Sequence, residues 1–190
     1  MDASPSPYRP QSTIGGAVSR RASLGILTKA AIGAALLPVS EASALFGLGK
    51  PANYEEFLHD LDLRYFRVDD ILEAHDKCRS GVENTLPPEA LWKNIRIALK
   101  VGDLAAEQLG TKRVRIISAY RCPAYNSRCS GASRASMHMK NLALDLRYDA
   151  RPSRVVRVMR DLRSKGAFRG GIGSYRTFTH IDGRGSNVDW

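Results

Sequence analysis

Apolar positions along this chain change period near its middle. From Asn53 to Leu109 they recur at helical spacing, and from Val114 onward they alternate. Asn53 stands as an N-cap before Tyr54 to Leu58, with Glu55 and Glu56 where a helix dipole favours acids. Tyr65 to His75 places Phe66, Ile71 and Leu72 on one side. Pro87-Pro88 then opens a long amphipathic helix in which Leu91, Ile95, Ile97, Ala98, Val101, Leu104 and Leu109 keep the 3.6 period and Gly110 closes it. Such a helix covers a sheet. His59 and His75 lie in these helices, where a solvent-facing or capping role is expected of each.

In the second half, Val114 to Tyr120 is β-branched and alternating, and Pro123 stops it after Arg121-Cys122. Leu142, Leu144 and Leu146 alternate with Ala143, Asp145 and Arg147 in a second strand. Pro152 to Lys165 is a basic amphipathic helix with Val155, Val158, Met159 and Leu162 inward and Gly166 at its end. Gly170 to Tyr175 and Phe178 to Gly183 form a hairpin. Strands and helices mix without a regular βαβ alternation, so the expected fold is α+β, with helices packed on a small antiparallel sheet. Residues 45–190 are expected to form one domain, helical over 53–110 and sheet-rich over 113–190.

The first 44 residues do not join this pattern. Arg20-Arg21 precede a mildly apolar, Lys-interrupted run from Gly25 to Leu37, and Ala42-Ser43-Ala44 follow. That order is a basic n-region, a short h-region and a small-residue cleavage site, and the paired arginines look like a twin-arginine signal. The run is too short for a membrane span, which needs about 20 apolar residues. Cleavage near Ala44 is expected, with an uncleaved amphipathic leader as the alternative. Export through the twin-arginine machinery would place the protein in the periplasm or cell envelope.

Without that segment the chain keeps 25 Lys+Arg and 17 Asp+Glu, a net +8. A positive balance suits an anionic polymer, whether nucleic acid or the acidic peptides and glycans of a cell wall. Export argues against nucleic acid, and the arginines are scattered over helices as a solvated face would have them. Cys78, Cys122 and Cys129 are odd in number. In an oxidising compartment Cys122 and Cys129 are the natural disulfide, which leaves Cys78 free or taking one of the two instead.

Candidate chemistry gathers in Ser136 to Asp145 and Thr179 to Asp182. A catalytic zinc takes three protein ligands and leaves a fourth position to water. His138, Asp145 and His180 would supply such a set, with a loop delivering His138 and the following strand Asp145. The alternative is a half-buried strand with a solvated Asp and a surface His. Period two puts Phe178, His180 and Asp182 on one face of the last strand and Thr179 and Ile181 on the other. Asp182 could then be the base for a metal-activated water, accept the spare N–H of a ligating histidine, or merely sit in a turn with Gly183.

Taken together, Ser118-Ala-Tyr-Arg121, Tyr125-Asn126, Ser136-Met-His138, Ala143-Leu-Asp145, Gly173-Ser-Tyr175 and Thr179-His-Ile-Asp182 resemble the zinc D-Ala-D-Ala carboxypeptidase family of the LAS metallopeptidases. The similarity runs from about Leu86 to the C-terminus and is greatest to the exported branch that includes murein endopeptidase K. It implies His138, Asp145 and His180 as Zn2+ ligands and Arg121 as a cleft residue, whose guanidinium fork suits a peptide carboxylate. Ser136 would orient His138, and Tyr175 would donate to an oxyanion. Three departures stand out. Tyr175 to Thr179 contains no acid where some relatives carry a glutamate base, which throws that role onto Asp182. Lys140-Asn141 replaces the usual glycine, and the cysteines flanking Tyr125-Asn126 favour a disulfide. The expected function is a zinc-dependent peptidase hydrolysing peptidoglycan cross-links or stem peptides. The competing expectation is a wall-binding protein that keeps the zinc fold without turnover.

Overall fold

A computed structural model of the chain describes residues 51–190. The signal segment expected over 1–44 lies outside the described residues.

Asn53 caps helix α1 (Tyr54–His59) as expected, its Oδ1 accepting the Glu56 N–H at 2.9 Å. Helix α2 (Val68–Glu73) is shorter than its apolar pattern, and His75 follows it, buried, with Nδ1 donating to the Ile71 carbonyl at 2.7 Å. Of its two expected roles His75 takes the capping one, while His59 stays exposed. Strands β1 (Cys78–Arg79) and β2 (Val82–Glu83) form a hairpin the apolar pattern does not announce. Its signal is the turn itself, Ser80-Gly81, whose φ values of 49° and 74° match a two-residue hairpin turn.

The helix expected from Pro87 starts as a 3-10 segment (Glu89–Ile95) and becomes helix α3 (Arg96–Leu109) only afterwards. Leu91 N–H bonds to the Pro88 carbonyl at 2.8 Å and the Trp92 indole to the Pro87 carbonyl at 3.0 Å, which winds the entry more tightly than an α-turn. The face that α3 buries carries Ala98, Leu99, Val101, Ala105 and Ala106, while Ile97 and Leu104 stay exposed. Gly102 lies on that face. A Cβ there would stand 2.8 Å from the Phe66 ring and 3.0 Å from Leu146, so the glycine sets how closely α3 approaches the sheet.

The main sheet runs β3 (Arg115–Ser118), β4 (Ala143–Arg147), β6 (Thr179–Asp182), β5 (Gly171–Ser174) and β7 (Val188–Asp189) in spatial order. All neighbours are antiparallel except β5 and β7, so the small antiparallel sheet that was expected carries one parallel edge strand. Leu144, Leu146, Ile172 and Ile181 face α3 and helix α5 (Pro152–Ser164), and with Val155 and Met159 they form the core. The other face of β4 and β6 carries the polar residues that matter for function. Arg115 and Arg147 sit directly opposite each other on β3 and β4, both exposed.

Candidate metal centre and cleft

The ladder between β4 and β6 pairs Asp145 with His180 and Ala143 with Asp182. Side chains directly opposite across an antiparallel pair lie on one face, so Asp145 and His180 meet without help from any loop. Asp145 Oδ1 is 2.8 Å from His180 Nδ1 and 3.3 Å from His138 Nε2. One ligand atom from each of the three residues can be chosen so that all lie within 4.8 Å of one another, and all three residues are buried.

His138 arrives on a 3-10 turn (Met137–Lys140). Ser136 caps that turn, its Oγ accepting the His138 N–H at 3.3 Å. Asn141 closes the turn at φ 53°, with its N–H on the His138 carbonyl at 3.1 Å. Asparagine tolerates this left-handed conformation better than most residues, which accounts for a chain without the usual glycine here. His138 Nδ1 lies 2.7 Å from the Ala119 carbonyl. A carbonyl only accepts, so Nδ1 carries the proton and Nε2 turns its lone pair to the cluster.

Asp182 is wholly buried. Its Oδ1 accepts Gly171 N–H at 3.1 Å, Arg184 N–H at 3.1 Å and Arg184 Nε at 2.8 Å. Its Oδ2 accepts Arg184 Nη2 at 2.6 Å and meets His180 Nε2 at 3.0 Å. Burial alone would raise its pKa, but His180 and Arg184 outweigh that and hold it far below the ordinary carboxylate range. Asp145 is held down in the same way, His138 and His180 overcoming burial. Burial lowers the pKa of His138 despite Asp145 beside it. For His180 burial also lowers, yet its hydrogen bonds to Asp145 and Asp182 carry it above the usual histidine value.

A cavity of about 510 Å³ opens over the cluster, with Arg121, Tyr175, Phe178, Arg184 and Trp190 in its walls. Arg121 donates through Nε to Ser118 Oγ and through Nη2 to Asp145 Oδ2, both at 2.8 Å, so it braces a candidate ligand as well as lining the cleft. Tyr175 stacks on Phe178 with ring centroids 4.4 Å apart and accepts the Trp190 indole N–H at 2.9 Å. The structure thus brings together His138, Asp145, His180, Arg121, Ser136 and Tyr175. It sets Asp182 beside His180 but outside the cavity wall.

Arg184 and Trp190 escaped the sequence reading. Strand alternation breaks off at Gly183, and only the Arg184-Gly185 turn and the two-residue strand β7 return the chain to the site.

The disulfide expected between Cys122 and Cys129 is not formed; all three cysteines are free. Helix α4 (Pro123–Asn126) separates the two. Cys122 Sγ caps its start by accepting the Tyr125 N–H at 3.4 Å, and Cys129 Sγ donates to the Tyr125 carbonyl at 3.5 Å, so each sulfur already serves a different backbone group.

Two imidazole nitrogens and a carboxylate oxygen, converging at the base of a polar cleft on an α+β sheet, are the donor set of a metal-dependent hydrolase. The family model described as Peptidase M15 matches residues 64–182, well over half of the chain, and the chain belongs to that family of metallopeptidases, the zinc D-Ala-D-Ala carboxypeptidases and their LAS relatives. No curated protein and no solved structure matches it. The family match ends at Asp182, so Arg184 and Trp190 line the cleft from beyond it.

Proposed function

We propose that this protein is a zinc peptidase of the cell envelope that hydrolyses peptidoglycan stem peptides or their cross-links. The observation that carries the reading is the convergence of His138 Nε2, Asp145 Oδ1 and His180 Nδ1 at the floor of a cavity large enough for a peptide. A bound zinc would supply Lewis acidity to the scissile carbonyl and to the attacking water. The chain's own residues do the rest. Ala119 and Ser136 fix the His138 ring and backbone. Asp182 takes the remaining N–H of His180, so that Nδ1 faces the centre. Arg121 holds Asp145 through Nη2 and Ser118 through Nε, and leaves Nη1 to a substrate carboxylate. The Tyr175 hydroxyl donates to the oxygen that gains charge as the carbonyl is attacked. The basic balance of the chain and its twin-arginine-like leader support an exported protein working on an anionic wall.

One observation favours a second reading, a wall-binding protein without turnover. Among the described residues, Asp145 is the sole carboxylate in the cavity wall, and the oxygens of Asp182 are taken by Arg184, Gly171 and His180. The test is zinc content of the purified chain, then incubation with cross-linked sacculi and mass spectrometry of the released muropeptides. One equivalent of zinc with cleaved products supports the peptidase. Zinc without any change in muropeptides selects the wall-binding reading, and His138→Ala protein that retains its metal overturns the site.

A further inference from the structure

Trp190 sits at the meeting point of four elements of the cleft. Its ring lies 5.1 Å from the His180 ring and the Arg184 guanidinium lies 5.1 Å from its centroid. Its indole N–H reaches the Tyr175 hydroxyl at 2.9 Å. Its backbone completes the edge of the sheet, Trp190 N–H bonding to the Ile172 carbonyl at 3.2 Å and Ser174 N–H to the Trp190 carbonyl at 2.8 Å. The ring is admitted by two glycines. A Cβ on Gly173 would stand 2.8 Å from the indole, and one on Gly171 would stand 3.0 Å from it. A large aromatic surface that remains 47% exposed is thereby held rigidly in the wall of a cavity instead of in the core.

The direction of the bond to Tyr175 decides what the pair does. Indole nitrogen only donates, so the Tyr175 oxygen must accept, and its own hydrogen has to point elsewhere. Stacking on Phe178 fixes the plane of the phenol, and Phe178 stands immediately before β6, two residues ahead of His180. The hydroxyl hydrogen is therefore free to donate into the cleft that Tyr175 lines. A donor that is already accepting a hydrogen bond is polarised by it, which strengthens its own donation.

We infer that Trp190 is a positioning residue: it locks Tyr175 as a one-way hydrogen-bond donor into the cleft and backs the His180 ring, so the site is completed by a residue beyond the family-matched region. The assignment of Tyr175 to the developing oxyanion rests on the peptidase reading above, whereas the Trp190–Tyr175 contact does not. The chain has two tryptophans, and the other, Trp92, donates to the Pro87 carbonyl, so two indole N–H resonances report separately. In 1H–15N spectra of the full chain, Tyr175→Phe is expected to move the Trp190 indole resonance and leave that of Trp92 in place. In steady-state kinetics on a cross-linked muropeptide, Tyr175→Phe is expected to lower kcat about 100-fold, as loss of one oxyanion donor does. Trp190→Phe, which keeps a ring against His180 and removes the N–H, is expected to lower kcat about 10-fold with KM unchanged. The double variant should be no worse than Tyr175→Phe alone, because the two act as one unit. A raised KM with kcat intact in Trp190→Phe would make the residue a substrate platform and overturn the inference, and so would additive losses in the double variant or an indole resonance indifferent to Tyr175→Phe. Should wild-type protein cleave nothing, the peptidase reading fails while the indole shift still decides the contact.

Discussion

Replacing Asp182 by Asn separates the two roles open to that carboxylate. The amide keeps one acceptor, which can serve Gly171 N–H, Arg184 N–H and Arg184 Nε, but it puts an NH2 where Oδ2 now meets Arg184 Nη2 at 2.6 Å and His180 Nε2 at 3.0 Å. Two donors then face donors. A hydrogen bond to a charged group contributes about 1.5–3 kcal/mol, and breaking a buried pair costs roughly 3–5 kcal/mol. Arg184 is a quarter exposed and recovers some hydration, so about 3 kcal/mol is expected. His180 can relieve its part of the conflict by moving its proton to Nδ1, the nitrogen that faces Asp145. That proton occupies the metal-binding lone pair, so zinc affinity should fall about 10- to 100-fold, the usual cost of losing a partner behind a ligand. Urea unfolding of the chelator-treated protein measures the first effect, and zinc competition against a chromogenic chelator the second. If Asp182→Asn binds zinc as tightly as wild type and loses turnover alone, Asp182 is the proton acceptor and not the support for His180.

Three further outcomes are expected. Burial pulls the His75 pKa down from 6.5 to about 4, against its bonds to the Ile71 and Leu72 backbone and with Lys77 adding to the depression, while the Tyr54 ring meets it edge-on from α1. The unfolded chain therefore binds the extra proton first, and stability drops as pH falls from about 6.5 to about 4, by roughly 3 kcal/mol in all at about 1.4 kcal/mol per unit. His75→Phe should remove that slope from urea midpoints taken between pH 4 and 8, and an unchanged slope would refute the assignment. Gly173→Ala forces a Cβ to 2.8 Å from Trp190 and should cost about 1–3 kcal/mol by thermal melting while halving activity or worse, whereas a neutral effect would show that β7 gives way freely. Stripping metal with a chelator should lower Tm by roughly 5–10 °C, since a ligand at 100 times its Kd contributes about 2.7 kcal/mol; no shift would mean that the cluster holds no metal.

What the sequence made legible was what periodicity encodes. Alternation placed Asp145 opposite the leucines of β4 and set His180 with Asp182 on one face, and both hold in the structure. Pattern also found every strand that carries a candidate ligand. It failed where a third partner decides. The 3.6-period reading of the long helix set Ile97 and Leu104 with Ile95, Ala98 and Val101, but close approach of Gly102 to Phe66 and Leu146 buries the last three and leaves the first two exposed. The apparent proximity of Cys122 and Cys129 ignored the helical turn between them. Asp182 looked free because Arg184 is a neighbour in sequence whose fold-back depends on the Gly185 turn. Trp190 carries no periodic signal, since its place follows from two glycines on another strand.

The register of β4 against β6 also divides the three candidate ligands by stiffness. Asp145 and His180 are spaced by the ladder itself, so their separation cannot change without breaking hydrogen bonds on both sides of β6. His138 hangs from a four-residue turn outside the sheet, anchored through Ser136, Asn141 and Ala119. Exchange of a bound ion would thus pass through His138: the rigid pair keeps the ion's seat prepared, and the turn is the hinged arm that opens it, so the rate of metal release would be governed by the hydrogen bonds of Asn141 and Ala119 more than by those of the sheet.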